Sequence, residues 1–320
     1  GMMEKAGYLQ RTGYSAIDSE GNAHAVIELH ILGTRYAIRR SDLSKAVSGR
    51  VFVQLEELTH QWQYYLGAVK GMASVSVSGK ALNIDGACLF DPFSTGNVQE
   101  IMRLLAMARI PVGTVFAHDR LDNVHHASRY TIGTNEDFGS GIGEYCGGTL
   151  GFRAIEATFK RLGEVFGDVD TDRVFLEIEQ QEERMVRACD KFLLRFDPPS
   201  VAIFSGFSYG LHVAETLERY LDADICCIGS RNAPGASKYP VEPVTGLDRV
   251  KSLIGQYNPD LVMGSSFERS VCDARSFSGI TPPLRGTVRL TPTPFVGVHG
   301  TLSLVEQVLN TCMDKKSARP

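Results

Sequence analysis

The 320-residue sequence predicts an α/β protein: two doubly wound parallel-sheet (Rossmann-like) domains preceded by a small N-terminal antiparallel β unit. Three observations carry this. After residue 200, short apolar runs such as Val201-Ala202-Ile203-Phe204 and Ile225-Cys226-Cys227-Ile228 alternate with stretches of helical periodicity, the pattern of strands covered on both faces by crossover helices. Residues 82–166 read as strand, loop, helix, strand. Residues 13–54 instead show period-two alternation interrupted by turn residues.

The N-terminal unit, residues 1–80, starts with β-rich runs at His24–Leu32, Arg35–Arg39 and Arg50–Leu55, separated by Asp18-Ser19-Glu20-Gly21-Asn22 and Gly33-Thr34. Leu55, Leu58, Trp62, Tyr65, Leu66 and Val69 then recur at spacings of three and four, predicting an amphipathic helix over 56–72. In a middle α/β domain, residues 81–170, the apolar strand Leu82–Phe90 runs into Asp91-Pro92-Phe93-Ser94-Thr95-Gly96. Asn97 and Glu100 have the spacing of an N-cap and its reciprocal N3 partner, so a helix is expected from there to Ala108, buried along Val98, Ile101, Leu105 and Ala108. Pro111 stops it before a strand at Val112–Phe116. Between Gly133 and Gly151 seven of nineteen residues are glycine, which predicts a long loop, followed by a helix at Phe152–Leu162.

Residues 171–199 read as a connecting segment whose charged helix, over 172–196, buries Val174, Ile178, Met185, Cys189, Phe192 and Phe196 and ends at Pro198-Pro199. The C-terminal α/β domain, residues 200–320, opens with a βαβ unit: strand Val201–Phe204, loop Ser205–Tyr209, helix Gly210–Leu221 and strand Ile225–Gly229. A helix at Leu247–Tyr257 capped by Thr245, strands at Leu261–Met263 and Thr287–Leu290, and a terminal helix through Leu302, Val305, Leu309 and Cys312 complete it.

Composition narrows the function. Hydrophobic residues at 43% and charged residues at 22% are those of an ordinary globular protein. A net charge of −4 with no Lys/Arg run longer than two gives no field for nucleic acid. No apolar run approaches the 18 or so residues of a membrane span. Seven scattered cysteines without a CxxC point to reduced thiols and a cytoplasmic location.

In open parallel sheets, ligands sit beyond the carboxyl ends of the strands, where helix N-termini concentrate partial positive charge. The loops so placed are Asp91–Gly96, Ser205–Tyr209, Gly264–Ser266 and Thr291–Gly300. The expected site is therefore a crevice between the middle and C-terminal domains, taking an anionic ligand and lined by Ser94, Cys146, Gly206, Tyr209, Ser265, Ser266 and His299. A nucleotide reading fails, because Gly206 to Gly210 is GxxxG rather than GxGxxG and no GK[ST] occurs, although Ser230-Arg231 is placed to hold a 2′-phosphate. The histidines and cysteines lack zinc spacing. Cys146, flanked by glycine, is the best thiol candidate for a metal, and its bland alternative is a small buried hydrophobe. His118, His125-His126 and His299 read either as ligands or as surface histidines. There is no GxSxG and no HExxH.

The helix Glu182-Glu183-Arg184-Met185-Val186 leading into Val201-Ala202-Ile203-Phe204-Ser205-Gly206, the turn Asn258-Pro259-Asp260-Leu261-Val262-Met263-Gly264-Ser265-Ser266, and the pair Pro292-Thr293-Pro294-Phe295 and Gly297-Val298-His299-Gly300 resemble the nitrogenase component 1 superfamily. That superfamily comprises nitrogenase molybdenum-iron protein subunits, cofactor-assembly scaffolds and dark-operative tetrapyrrole reductases. Residues 82–167, with the segment GGTLGFRAIEATFKRLGEVFG, are similar to its middle domain. The resemblance implies a nitrogenase-like oxidoreductase or metallocofactor-assembly subunit that binds a metallocluster or tetrapyrrole between two α/β domains. It further implies reduction by an ATP-dependent iron protein and a homo- or hetero-oligomer with a related subunit. Gly206, Ser265 and Ser266 would capture the anionic cofactor, beside Ser94 and Tyr209, with Cys146 and His299 as candidate metal ligands. Family members hold an iron-sulfur cluster through N-terminal cysteines. Residues 1–80 here contain none, so the resemblance is to a divergent or N-terminally shortened member. The alternative is a non-catalytic scaffold or a small-molecule (anionic ligand) binding protein that kept the fold without clusters.

Overall fold

The computed structural model describes residues 9–17, 23–31, 34–39, 81–88, 91–118, 127–232, 234–244, 246–272, 276–281 and 291–317. The expected strands Arg50–Leu55 and Thr287–Leu290, the helix over 56–72, the cap Thr245 and the pair His125-His126 lie outside these residues. The chain forms two compact units, Gly1–Met72 and Ala73–Pro320. In the first, β1 (Leu9–Ile17), β2 (Ala23–Ile31) and β3 (Thr34–Arg39) make an antiparallel sheet in the order β1-β2-β3. The strand predicted at His24–Leu32 is its central member. Only residues 32 and 33 separate β2 from β3, the two-residue connection that antiparallel neighbours favour.

The second unit holds two sheets, both wholly parallel. The four-stranded sheet contains β4 (Leu82–Asp85), β5 (Val112–Val115), β6 (Tyr130–Gly133) and β7 (Glu144–Gly147), in the order β5-β4-β6-β7. Its helices are α1 (Ser94–Met107) and α2 (Phe152–Phe166), and α3 (Thr171–Leu193) leads on to the next sheet. The five-stranded sheet contains β8 (Ser200–Ser205), β9 (Asp224–Ser230), β10 (Val241–Pro243), β11 (Leu261–Gly264) and β12 (Ser276–Gly279), in the order β10-β9-β8-β11-β12. With it go α4 (Phe207–Leu221), α5 (Leu247–Tyr257), the four-residue α6 (Ser266–Arg269) and the terminal α7 (Gly297–Ser317). The strand order reverses between β8 and β11, which makes the ends of those two strands the topological switch point.

Period-two burial explains why β8 is apolar throughout. Val201 and Ile203 face a large core shared with the four-stranded sheet, through Leu82, Ile84 and Ile132, and with α2, α3, α4 and α7. Ala202 and Phe204 face the opposite way, against Val250, Leu253 and Ile254 of α5. Helix α7 packs on α1, α2, α3 and α4, so it ties both sheets together from one side. α3 buries Val174, Ile178, Met185, Cys189 and Phe192, as its spacing predicts, but ends at Leu193; Phe196 lies beyond it, stacked on Phe192 at 4.8 Å.

Four strands escape sequence reading. β7, β10 and β12 are edge strands in which polar residues and glycine or proline break any apolar run, and β6, Tyr130–Gly133, is likewise without one. The glycine-rich stretch read as a loop contains β7, of which Glu144 and Tyr145 are exposed and Cys146 is buried, and a 3₁₀ turn at Glu136–Phe138.

Ile203, fully buried on the central strand, is the test of this core. Ile203→Ala should cost about 2–5 kcal/mol in urea unfolding. Leu194→Ala, at a position 85% exposed, should stay within about 0.5 kcal/mol of wild type.

Candidate functional site

Loops from the carboxyl edges of the two parallel sheets meet, and what joins them is a set of carboxylates and amides seated on helix N-termini. Helix α1 starts at Ser94, three residues before the expected cap, and Phe93 stands at its N-cap without a side-chain cap. Asn97 and Glu100 are therefore one turn inside α1, and both reach outward to α7. Asn97 Oδ1 accepts from the backbone N–H of Phe295 (2.7 Å) and Val296 (3.2 Å), and Glu100 Oε1 accepts from His299 N–H (3.0 Å). Gly297 N–H donates to the Thr149 carbonyl at 2.9 Å. The N-terminal turn of α7 is thus satisfied by residues 148 to 199 positions away. Gly297 has φ +77, and a Cβ there would overlap the Glu100 side chain, so only glycine admits this carboxylate.

The N-terminus of α4 is filled in the same way. Asp137, on the 3₁₀ turn between β6 and β7, accepts from Ser208 N–H (3.1 Å), Ser208 Oγ (2.9 Å) and Asn232 Nδ2 (2.8 Å). Asn232 Oδ1 accepts from Phe207 N–H at 2.7 Å. Burial pushes the Asp137 carboxyl up, against the pull of these hydrogen bonds. Gly206 leaves the room: a Cβ there would strike Asp137 Oδ2. The turn is pinned from below by Asp85, whose carboxylate accepts from Ser140 N–H (2.6 Å) and Ser140 Oγ (2.7 Å), and whose carbonyl accepts from Thr134 N–H (2.8 Å). Beside it Tyr209, buried, donates its hydroxyl proton to Asp91 and accepts from Asn97 Nδ2 at 2.8 Å. Burial, then the Asp91 charge, raises the Tyr209 phenol well above its ordinary value, so it remains a proton donor. Phe295 packs between Phe93 (5.0 Å) and Tyr209 (4.3 Å).

At the switch point, Arg231 crosses from the end of β9 to pair with Glu268 of α6, the guanidinium 11% exposed and the carboxylate fully buried. Its backbone N–H donates to the Ser205 carbonyl, and its guanidinium lies 3.4 Å from both Ser265 Oγ and Thr281 Oγ1. The position read as a 2′-phosphate contact thus serves an internal ion pair. Ser265 caps α6 in a capping box with Glu268, and Ser266 is the first residue of that short helix.

Of the expected lining, Gly206 and Tyr209 lie at the start of α4, Ser94 opens α1, whose Asn97 binds Tyr209, and Ser265 joins through Arg231. His299 faces Glu100, with Nδ1 at 3.0 Å from Oε2, and Glu177, with Nε2 at 3.8 Å from Oε1. Cys146 belongs to the apolar core; its Sγ lies 3.8 Å from its own strand's Glu144 carbonyl, and burial pushes the thiol up. Among the described residues no group of three His, Cys, Asp or Glu could hold a metal ion. Asp91, Asp137 and Asn232 had no local signal in the sequence, because their partners lie 71 to 118 residues away or across the sheet. His212, on α4 beneath Phe295, is also buried; its Nδ1 lies 3.3 Å from Thr216 Oγ1 and its Nε2 has no hydrogen-bond partner among the described residues.

Two parallel sheets whose carboxyl edges meet around helix N-termini define a Rossmann-like α/β protein. Residues 136–313, more than half of the chain, match the nitrogenase component 1 type oxidoreductases, and the chain belongs to that family. Its fold is similar to that of nitrogenase Cp1 at pH 6.5, with a TM-score of 0.65 and 15% identity over 80% of this chain and 66% of that one. It is also similar to nitrogenase Cp1 at pH 5, with a TM-score of 0.60 and 13% identity over 81% of this chain and 63% of that one. At such identities the likeness is one of fold alone, and this chain spans just under two thirds of the length of those nitrogenase chains. No curated protein matches the chain in sequence.

Two outcomes test this geometry. Asp137→Ala, which strips the acceptors from the first turn of α4, should lower stability by about 1–2 kcal/mol. Burial lowers His212 from 6.5 to about 4. The stability this contributes is fully present above pH 6.5 and is lost as pH falls from 6.5 towards 4, by about 3 kcal/mol. In urea titrations His212→Leu should lose that dependence. Asp85 and Asp137, raised by burial, act with the opposite sign, so the difference between wild type and variant isolates the imidazole.

Proposed function

We propose that this chain is an assembly or scaffold subunit of the component 1 type, which offers a closed two-sheet frame to a related subunit and leaves cluster chemistry to its partners. One observation carries the reading: the helix N-termini nominated for an anionic cofactor, those of α4, α6 and α7, are already taken by Asp137, Glu268 and Glu100. An incoming anion would have to displace a hydrogen-bonded carboxylate and, at Glu100 and Glu268, leave it buried, which costs more than surface charge at a helix end returns. The family generally works with metalloclusters, so an oligomer with a related subunit, an ATP-dependent iron protein as electron donor and a cytoplasmic setting all belong to this proposal.

A second reading, a nitrogenase-like oxidoreductase holding a metallocluster or tetrapyrrole against Ser94, Gly206, Tyr209, Ser265 and Ser266, has one observation in its favour. The loops of the two sheets do meet, so movement of the Asp137 turn would open an anion cradle at Ser208 and Phe207. Anaerobic purification with iron and acid-labile sulfide analysis separates the two. The scaffold reading expects well under one iron per chain. Stoichiometric iron that Cys146→Ala or His299→Ala removes would establish the second.

A further inference from the structure

The groove between α2 and α3 belongs to none of this machinery. It has a volume of about 680 Å³, is floored by Ile178 and Phe175, and is bordered by Leu176 and Val186. Leu176 and Val186 are 54% and 38% exposed. With Glu179 and Glu183 between them they fall at +3, +7 and +10 along α3, a single face opposite the buried stripe. An amphipathic helix normally presents only polar side chains on that side, so this face carries apolar surface that the rest of the described chain does not cover.

The rim is acidic. Glu156 from α2 joins Asp172, Glu179, Glu182 and Glu183 of α3. Glu182 is neutralised by Arg219 at 2.9 Å, with a further hydrogen bond from Tyr220, and Glu183 pairs with Arg187. Glu156, Asp172 and Glu179 have no ion-pair partner among the described residues, and no lysine or arginine lines the groove. Two copies of this face would oppose like charges, so a second copy is a poor occupant. A cationic partner gains at the rim what a self-contact would lose.

We infer that this groove docks a Lys/Arg-flanked amphipathic helix of another protein, its apolar side chains set on Leu176, Phe175 and Val186 and its cations among Glu156, Asp172 and Glu179. A cleft between two helices suits helix-in-groove recognition, in which apolar anchors at i, i+3 and i+7 supply affinity and flanking charge supplies orientation. The inference stands whether the chain is a scaffold or an oxidoreductase, since it uses no residue of the sheet-edge network.

The probe is a fluorescein-labelled 18-residue helical peptide with leucines at i, i+3, i+4 and i+7 and lysines on the flanks, titrated against the full chain by anisotropy. A companion peptide carries glutamate in place of lysine. The lysine peptide should bind with a Kd of roughly 10 µM or better at low salt and weaken several-fold as salt is raised. Leu176→Ser/Val186→Ser and, separately, Glu156→Lys/Glu179→Lys should each weaken it at least tenfold with unchanged far-UV CD and melting temperature, and the glutamate peptide should not bind. Affinity indifferent to Leu176→Ser/Val186→Ser would mean charge adsorption alone and overturn the inference, as would equal binding of the two peptides. Concentration-dependent dimerisation in sedimentation, abolished by Leu176→Ser, would assign the face to a second copy and overturn it too.

Discussion

A helix that starts at the carboxyl edge of a parallel sheet exposes backbone N–H groups that must find acceptors, and in this protein α4 and α7 find them in carboxylates and amides sent from elsewhere in the chain, α6 in its own Glu268. Asn97 and Glu100 close α7, Asp137 and Asn232 close α4, and Glu268 closes α6. Two of these three closures join separate layers. Asp137 carries the four-stranded sheet onto the five-stranded one, and the α1 pair binds the terminal helix that packs on four others. Losing the closure of α7 or of α6 leaves a buried polar group without its partner, a heavier penalty than the hydrogen bond is worth.

That constraint bears on what a component 1 fold can do here. The donors at the starts of α4, α6 and α7 are spent within the chain itself. The hydroxyl of Tyr209, pinned between Asp91 and Asn97 and kept protonated by burial, belongs to the same closure. So does the Arg231–Glu268 pair, which lies across the switch point where ligands of open α/β sheets bind. Ions so deeply placed hold register more than they add stability, because desolvation consumes most of their mutual attraction.

The outer surface follows a different logic. α3 buries one stripe in the common core and keeps a second, partly apolar stripe outside, beside Glu156, Asp172 and Glu179, which have no ion-pair partner among the described residues. The inner network makes the unit close on itself; the outer groove is the surface by which it can meet something else.

The sequence by itself determined the elements whose residues are repeated locally. β8, β9, β11, α2, α3 and α5 were legible, because burial on two faces demands an unbroken apolar run and burial on one demands a 3.6-residue period. The family resemblance was legible too, in the turn after Asn258 and the approach to His299. Edge strands β7, β10 and β12 were not, since an edge strand is satisfied by backbone pairing on one side and imposes little on its side chains. The contacts that join the sheet edges could not be read. The spacing of Asn97 and Glu100 is that of a local cap, and only tertiary structure shows that it serves a helix some 200 residues on. Asp137 sits among glycines that looked like loop, and Cys146, which looked like a ligand, is core. Spacing along a chain encodes which face a residue takes; which partner meets that face is decided by packing between distant elements, and at the sheet edges it is packing that determines the chemistry.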